Sequence, residues 1–339
     1  MRNWKDTAET IEVQYPDELC FAFNRNEVVI TSDYERVVFE LSSGTVKFSD
    51  QRDSFNKKVS IDISMYLQLF FDVKESELIG SKKISVAIKD VDGNFILRFY
   101  LNCVWGVMNI GEVYNDSYKL TWFKNYPQTF SLYVTDTNAM RQEDSSRATS
   151  YILNSGLQHL ALSDVFPTAK RTAQLSIGSS VTAVFDYTYD TTFTSATAKT
   201  IDVEVNDDDC GVFLRWIDRH GFYRYWLFKE GAMTYKATDK GVETDIPTSK
   251  LSESLVLYYG MTRKQGKELT VQKSICASLV DEDTFTMLTT LLSSPMPSLW
   301  TGSEWIPIAV VVGSSTRASD VLQDFEVQII LPSIITQSL

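Results

Sequence analysis

The chain is short of the residues that most catalytic and metal-binding sites need. It has only two histidines, His159 and His220, and four cysteines, Cys20, Cys103, Cys210 and Cys276. The cysteines are far apart and form no CxxC, so a zinc site has no ligand set to draw on. No GxSxG, HExxH or GxxxxGK[ST] occurs, and Gly-rich runs are missing, which excludes the common hydrolase, metalloprotease and phosphate-loop signatures. No stretch approaches eighteen uninterrupted apolar residues, so none is expected to cross a membrane as a helix. Lys and Arg are outnumbered by Asp and Glu, 32 to 44, for a net charge of −12, and they do not cluster. A lasting grip on nucleic acid needs clustered cations to displace counterions, so that class is excluded too. The opening MRNWKDTAETIEVQYPDE has no apolar core of the secretory kind. The expectation is a protein made in the cytoplasm that leaves by another route, such as cell lysis. Spacing leaves disulfides open, but a reduced compartment is the simpler reading, with Cys20 and Cys103 acting as small hydrophobes in apolar strands.

What is present is a globular composition, 44% hydrophobic and 22% charged, in which period-two patterns dominate. Residues 28–30 and 37–41 read as two short strands around the polar turn Thr31-Ser32-Asp33. Residues 58–69 continue the alternation, with Val59, Ile61 and Ile63 on one side. Residues 84–88 and 95–100 flank Val91-Asp92-Gly93-Asn94, and Asp-Gly between alternating runs is a strong hairpin signal. Strands are also expected at 120–123, 129–134, 183–189, 200–205, 308–312 and 325–331. The polar, aperiodic DTNAMRQEDSSRATS, 136–150, reads as a linker or a long exposed loop. One helix stands out. Asp281, Glu282 and Asp283 favour the positive end of a helix dipole, Phe285, Leu288 and Leu292 form an apolar stripe, and Pro295 and Pro297 stop it. The expected fold is all-β: two β-sandwich-like domains with one short C-terminal helix, the first covering 1–140 and forming the assembly, the second covering 141–339.

The second domain carries the most unusual segment. FLRWIDRHGFYRYWLFK, 213–229, holds seven aromatics and three arginines in seventeen residues. Val212, Leu214 and Trp216 alternate with Phe213, Arg215 and Ile217. Beyond Asp218-Arg219-His220-Gly221, the residues Phe222, Arg224, Trp226 and Phe228 alternate with Tyr223, Tyr225 and Leu227. Asp caps its own backbone and Gly supplies a positive φ, so this is a β-hairpin with His220 as an exposed turn residue. Both faces are heavily apolar, so one must meet a core and the other a second layer or a partner subunit. Trp216, Arg219, Tyr223, Tyr225, Trp226 and Phe228 are therefore the candidate interface or ligand residues. Together with Tyr187 and Tyr189, the rings could also stack on a sugar if they were coplanar and exposed. Candidate paired carboxylates are Glu230 and Asp186, although exposed strand ends explain both more simply. Asn206-Asp207-Asp208-Asp209 lacks the ligand spacing of a calcium loop. No catalytic, cofactor or metal residue is expected.

The run LRWIDRHGFYRYWLF resembles a recurring pattern of phage and prophage structural proteins: aliphatic-x-W-x-N/D-R-x-G-G-x-x-x-W/F-x-F. The matching positions are Trp216, Asp218, Arg219, Gly221, Tyr225, Trp226 and Phe228, and Phe222 stands where the pattern has its second glycine. The acid-capped helix ending in Ser-Pro at 281–295, the Trp and V-rich strand at 305–312, and the closing FEVQIILP at 325–332 resemble the final third of such proteins. VSIDISMYLQLFF, 59–71, is similar to an N-terminal piece of the same kind of protein from phages of Bacteroidetes hosts. The resemblance implies a distal-tail-like component of a tail or baseplate. Such a subunit forms a homo-oligomeric ring, joins the tail tube to the tip, binds other tail proteins and carries no catalytic residues. It would assemble in the host cytoplasm and reside in the virion. An acidic ring wall would let DNA pass without binding it. The alternative from the aromatic cluster is a carbohydrate-binding or receptor-adhesion module.

Overall fold

The computed structural model describes residues 1–8, 10–71, 80–109, 113–114, 120–134, 138–144, 147–153, 156–165, 172–177, 187–188, 199–245, 262–311 and 321–334. The protein is all-β: strands make up 61% of it, and only one described helix reaches seven residues. The chain divides into two compact units. One is Met1–Asp209 with Ile217–Arg224, and the other is Cys210–Trp216 with Tyr225–Leu339. The expected border at 140/141 is not where this division falls.

The first unit contains a four-stranded sheet in the order Arg2–Asp6, Ile11–Tyr15, Glu27–Thr31, Lys58–Asp62. A five-stranded sheet runs Leu19–Phe21, Phe95–Val104, Ser81–Lys89, Arg36–Ser43, Val46–Asp53. Its first pair is parallel and the rest are antiparallel. The Asp-Gly hairpin forms as expected: Gly93 takes φ +89°, and Asp90 Oδ1 accepts from the Asn94 N–H at 2.8 Å. The strands at 28–30 and 37–41 do not form a hairpin. Glu27–Thr31 and Arg36–Ser43 lie in different sheets, so the polar turn between them is a crossover. Polar turn residues mark a reversal or a change of sheet equally well, and the sequence does not distinguish them.

Residues 58–69 are also not one strand. The strand Lys58–Asp62 ends in the helix Ser64–Leu69. The period changes at Ile63: Ile63, Leu67, Phe70 and Phe71 are buried at i, i+4, i+7 and i+8, whereas Met65 and Leu69 are exposed. Asp62 Oδ1 accepts from the Ser64 N–H at 3.0 Å where the helix starts. The expected linker is structured as well. Asn138–Asp144 pairs antiparallel with Arg147–Leu153, at the end of a second five-stranded sheet that also holds Thr172–Ile177, Lys199–Asn206 and Leu120–Phe123. Ladder hydrogen bonds hold a strand in a sheet whatever its side chains, so polarity alone does not make a linker.

The second unit is built on a seven-stranded sheet: Trp305–Pro307, Ser298–Trp300, Val212–Ile217, Tyr223–Asp245, Thr262–Val280, Gln323–Ile334, Ala309–Val310. The helix Glu282–Ser293 packs on it. Asp281 is the N-cap, its carboxylate accepting from the Thr284 N–H at 2.8 Å, with Glu282 and Asp283 in the first turn. Phe285, Leu288 and Leu291 are its buried stripe, and the expected Leu292 lies at the margin, partly buried. The closing strand runs through Pro332, with a register shift between the Leu331 and Ile334 pairs that absorbs the missing N–H.

Candidate interaction surface

The aromatic hairpin is present, with Val212–Ile217 and the start of Tyr223–Asp245 as its strands. Its turn is built around Asp218. Oδ1 accepts from the N–H groups of His220 (2.9 Å) and Phe222 (3.0 Å), and Oδ2 accepts from Arg224 Nε at 2.7 Å. Asp218 is 3% exposed and the Arg224 side chain 10%, so this is a buried ion pair whose carboxylate also caps the backbone. Gly221 takes φ +91°, and a Cβ there would meet the Trp105 carbonyl oxygen at 2.6 Å. Gly106 allows the same close approach from the other side, since its Cβ would lie 2.8 Å from the Arg219 carbonyl oxygen. That carbonyl accepts from the Val107 N–H at 2.6 Å. Phe222 completes a buried cluster with Leu19, Phe21, Val104, Met108 and Leu157. The turn is thus part of the first unit's interior. His220 is 7% exposed, not the solvent residue expected of a hairpin tip, because the tip is packed.

The six candidate residues do not converge on one surface. Trp216 and Phe228 are 0% exposed and lie in the core beneath the helix, with Trp226 packed against that core, partly buried. The Trp216 indole N–H donates to Thr290 Oγ1 at 2.8 Å. On the opposite face Tyr225 is buried, its ring 5.9 Å from that of Phe213, and Trp305 packs against both. Arg215, itself buried, lies 4.5 Å over the half-buried Trp305 ring. The short strands Ser298–Trp300 and Trp305–Pro307 continue the same sheet beside Val212–Ile217, and Trp305 brings its ring against Phe213 and Tyr225 on this face. Tyr223 is half-buried, its ring 4.7 Å from His159 and its N–H donating to Ser131 Oγ at 3.2 Å. Arg219 alone is exposed. A sugar platform needs open, coplanar rings, and Trp216, Tyr225 and Phe228 present none.

The remaining chemical candidates are accounted for by structure. His159 Nδ1 lies 2.8 Å from Ser131 Oγ, but the two are direct register partners in the pair Thr129–Val134 and Gly156–Ala161. The Ser131 hydroxyl is buried and already accepts the Tyr223 N–H, so it bridges backbone and ring rather than facing a substrate. Glu230 is exposed and pairs with Lys273 Nζ at 2.8 Å. Asp186, Tyr189 and most of the expected strand 183–189 lie outside the described residues. Among the described residues, no group of three or more His, Cys, Asp or Glu side chains is placed to hold a metal ion, and no helix is long and apolar enough to cross a membrane.

Sequence reasoning ended the second hairpin strand near Phe228 and so missed a long exposed ribbon. Tyr223–Asp245 is 23 residues long and pairs with the 19-residue Thr262–Val280 out to Asp245↔Thr262. A register shift between Glu230 and Met233 marks where the ribbon leaves the sheet. Gly231 permits it, since a Cβ there would meet the Ser274 carbonyl oxygen at 2.8 Å. Beyond the bulge, residues 231–239 are all exposed, on both faces of the strand. Val212–Ile217 is only six residues long, so among the described residues nothing pairs with the outer edge beyond Phe228. On the other side, among the described residues, the closing strand supports the ribbon as far as Leu269↔Ile334. From Met233 to Asp245 the ribbon spans about 40 Å at strand rise. Met233 and Tyr235 are 44% and 61% exposed on it. The signal available in the sequence was the alternation through GAMTYKATDKGVETD, weak because Met233, Tyr235 and Val242 are its only large apolar residues.

No protein-family model matches the chain, and no curated protein matches it in sequence.

Proposed function

We propose that this chain is a structural, self-assembling subunit of a phage tail or baseplate, forming a ring that connects the tail tube to the tip. The observation that carries the assembly part is the ribbon's open edge at 231–239. A long, unpaired strand edge is a template for pairing with another chain, and soluble proteins normally blunt or cover one. Its distal part, 238–245 with 262–268, has only two strands among the described residues, and a two-stranded ribbon is marginal in water without a third strand or a packing surface. A neighbouring copy supplies both by β-augmentation. The tail assignment rests on the pattern around Trp216, Asp218, Arg219 and Gly221. In a ring around a channel, the net charge of −12 favours an acidic wall past which DNA slides. A lumen lined by Lys and Arg in the assembled particle would end that part of the reading.

Mass photometry and negative-stain imaging of the purified full chain test the proposal. Closed rings are expected from the wild type. The double variant Tyr235→Glu, Ala237→Lys, which charges the edge without touching a buried residue, is expected to give monomers with an unchanged circular dichroism spectrum. A wild-type chain that stays strictly monomeric at high concentration, with no tail partner bound, overturns the proposal.

A further inference from the structure

The sequence separates Cys20 from Cys103, but the fold brings them together. Cys20 sits at the centre of the three-residue edge strand Leu19–Phe21, which runs parallel to Phe95–Val104, and its register partner there is Cys103. In-register residues of neighbouring strands project to the same face and have Cα atoms about 5 Å apart, within the window that a disulfide spans. Both side chains are buried, Cys20 at 2% and Cys103 at 0% exposure, and both are free thiols in this structure. The other two cysteines have no such relation: Cys210 is exposed, and Cys276 pairs by register with Lys229 and Glu326.

We infer that Cys20 and Cys103 are a disulfide-forming pair that locks the edge strand Leu19–Phe21 onto its sheet when the protein meets a low-molecular-weight disulfide oxidant. The chemistry is ordinary exchange. The Cys20 thiolate, having given up its proton, attacks one sulfur of the oxidant. The oxidant's S–S bond breaks, and one half leaves as a thiol after taking up a proton. The Cys103 thiolate then attacks the Cys20 sulfur of the mixed disulfide and expels the other half. Two protein thiols and one small disulfide become one protein disulfide and two small thiols. The strand that is locked carries Leu19 and Phe21, which together with Val104 form the pocket for Phe222. The cross-link therefore secures the seat of the hairpin turn. Burial holds the Cys103 thiol well above its usual range, with the neighbouring Cys20 adding to that, so Cys103 is slow to exchange once folded. This inference does not depend on the assembly reading.

The test uses the full chain with Cys210→Ser and Cys276→Ser, purified reduced. The chain is refolded from urea in glutathione buffers of increasing oxidised fraction, so that both thiols are accessible before burial, and is then alkylated in denaturant. The expected result is loss of both alkylation sites together, independent of protein concentration, with a Cys20–Cys103 cross-linked peptide in the digest. A melting temperature several degrees above that of the reduced form should accompany it, because the cross-link closes a long loop. Adding Cys20→Ala should leave Cys103 alkylatable or carrying one glutathione, without any cross-linked peptide. If refolding fails, the same count on the folded chain held with diamide decides. Two surviving thiols, or two separate glutathione adducts, in natively folded protein at the most oxidising poise overturn the inference.

Discussion

The clearest test of whether the aromatic hairpin is core or ligand surface is Trp216. Its side chain is 0% exposed and sits in a cluster with Phe228, Ile275, Phe285, Leu288 and Phe325. A tryptophan buries about 250 Å² at most, and at about 25 cal/mol per Å² that area corresponds to roughly 6 kcal/mol as an upper bound. Measured truncations of buried Phe and Trp to Ala cost about 3–5 kcal/mol once partial collapse of the cavity is included, so about 4 kcal/mol is the expectation for Trp216→Ala. Trp216→Phe keeps most of the apolar contact but removes the indole N–H that Thr290 Oγ1 accepts. The Thr290 hydroxyl still donates to the Met287 carbonyl at 2.6 Å, so this variant should lose only about 1–2 kcal/mol. Arg219→Ala, at the exposed position of the turn, should stay within about 0.5 kcal/mol of wild type. Urea unfolding followed by near-UV circular dichroism reads all three. With a slope of about 2 kcal/mol per molar, the midpoints should fall by about 2 M, somewhat under 1 M, and not measurably. A Trp216→Ala midpoint within about 0.3 M of wild type would mean the ring is not in the core, and the packing account of the hairpin would fail with it.

Asp218→Ala removes the carboxylate that pairs with Arg224 and accepts two backbone N–H groups, leaving a buried cation; a loss of about 3–5 kcal/mol is expected in thermal or urea unfolding. Gly221→Ala places a methyl group 2.6 Å from the Trp105 carbonyl oxygen at a positive φ, so the turn must shift; amide hydrogen exchange should show lost protection at Val107, whose N–H the Arg219 carbonyl accepts. Asp50 is pushed up by its partial burial, but hydrogen bonds from Tyr66, Arg52 and the Gln51 N–H outweigh this and hold its carboxyl below the usual range. Because its folded value is depressed, its stabilisation is present above the unfolded carboxylate value and is lost as pH falls through the folded one; Tyr66→Phe should move the acid-unfolding midpoint upward in pH.

The parts of the fold legible in the sequence were those fixed by local chemistry. The Asp-Gly reversal at Asp92 and Gly93, the Asp218 to Gly221 turn and the Asp281 cap each depend on residues within four positions of one another, and each formed. What was not legible depends on non-local pairing. Residues 32–35 join strands of two different sheets, yet nothing in Thr31-Ser32-Asp33 states which partner Arg36–Ser43 will choose. The candidate residues were read as interface or ligand positions, and the alternation that marks them does not say which surface fills each face of the hairpin. Trp305, more than seventy residues beyond the hairpin, packs on the face for which either a second layer or a partner subunit was expected. Among the described residues, the ladder positions without a partner strand lie on the ribbon at 231–239, and these are backbone groups rather than rings. An unpaired backbone edge has no residue signature, because every residue but proline carries the same N–H and C=O. Composition therefore pointed to the aromatic rings as the place of assembly, whereas the requirement for backbone pairing points to the plain polar strand beside them.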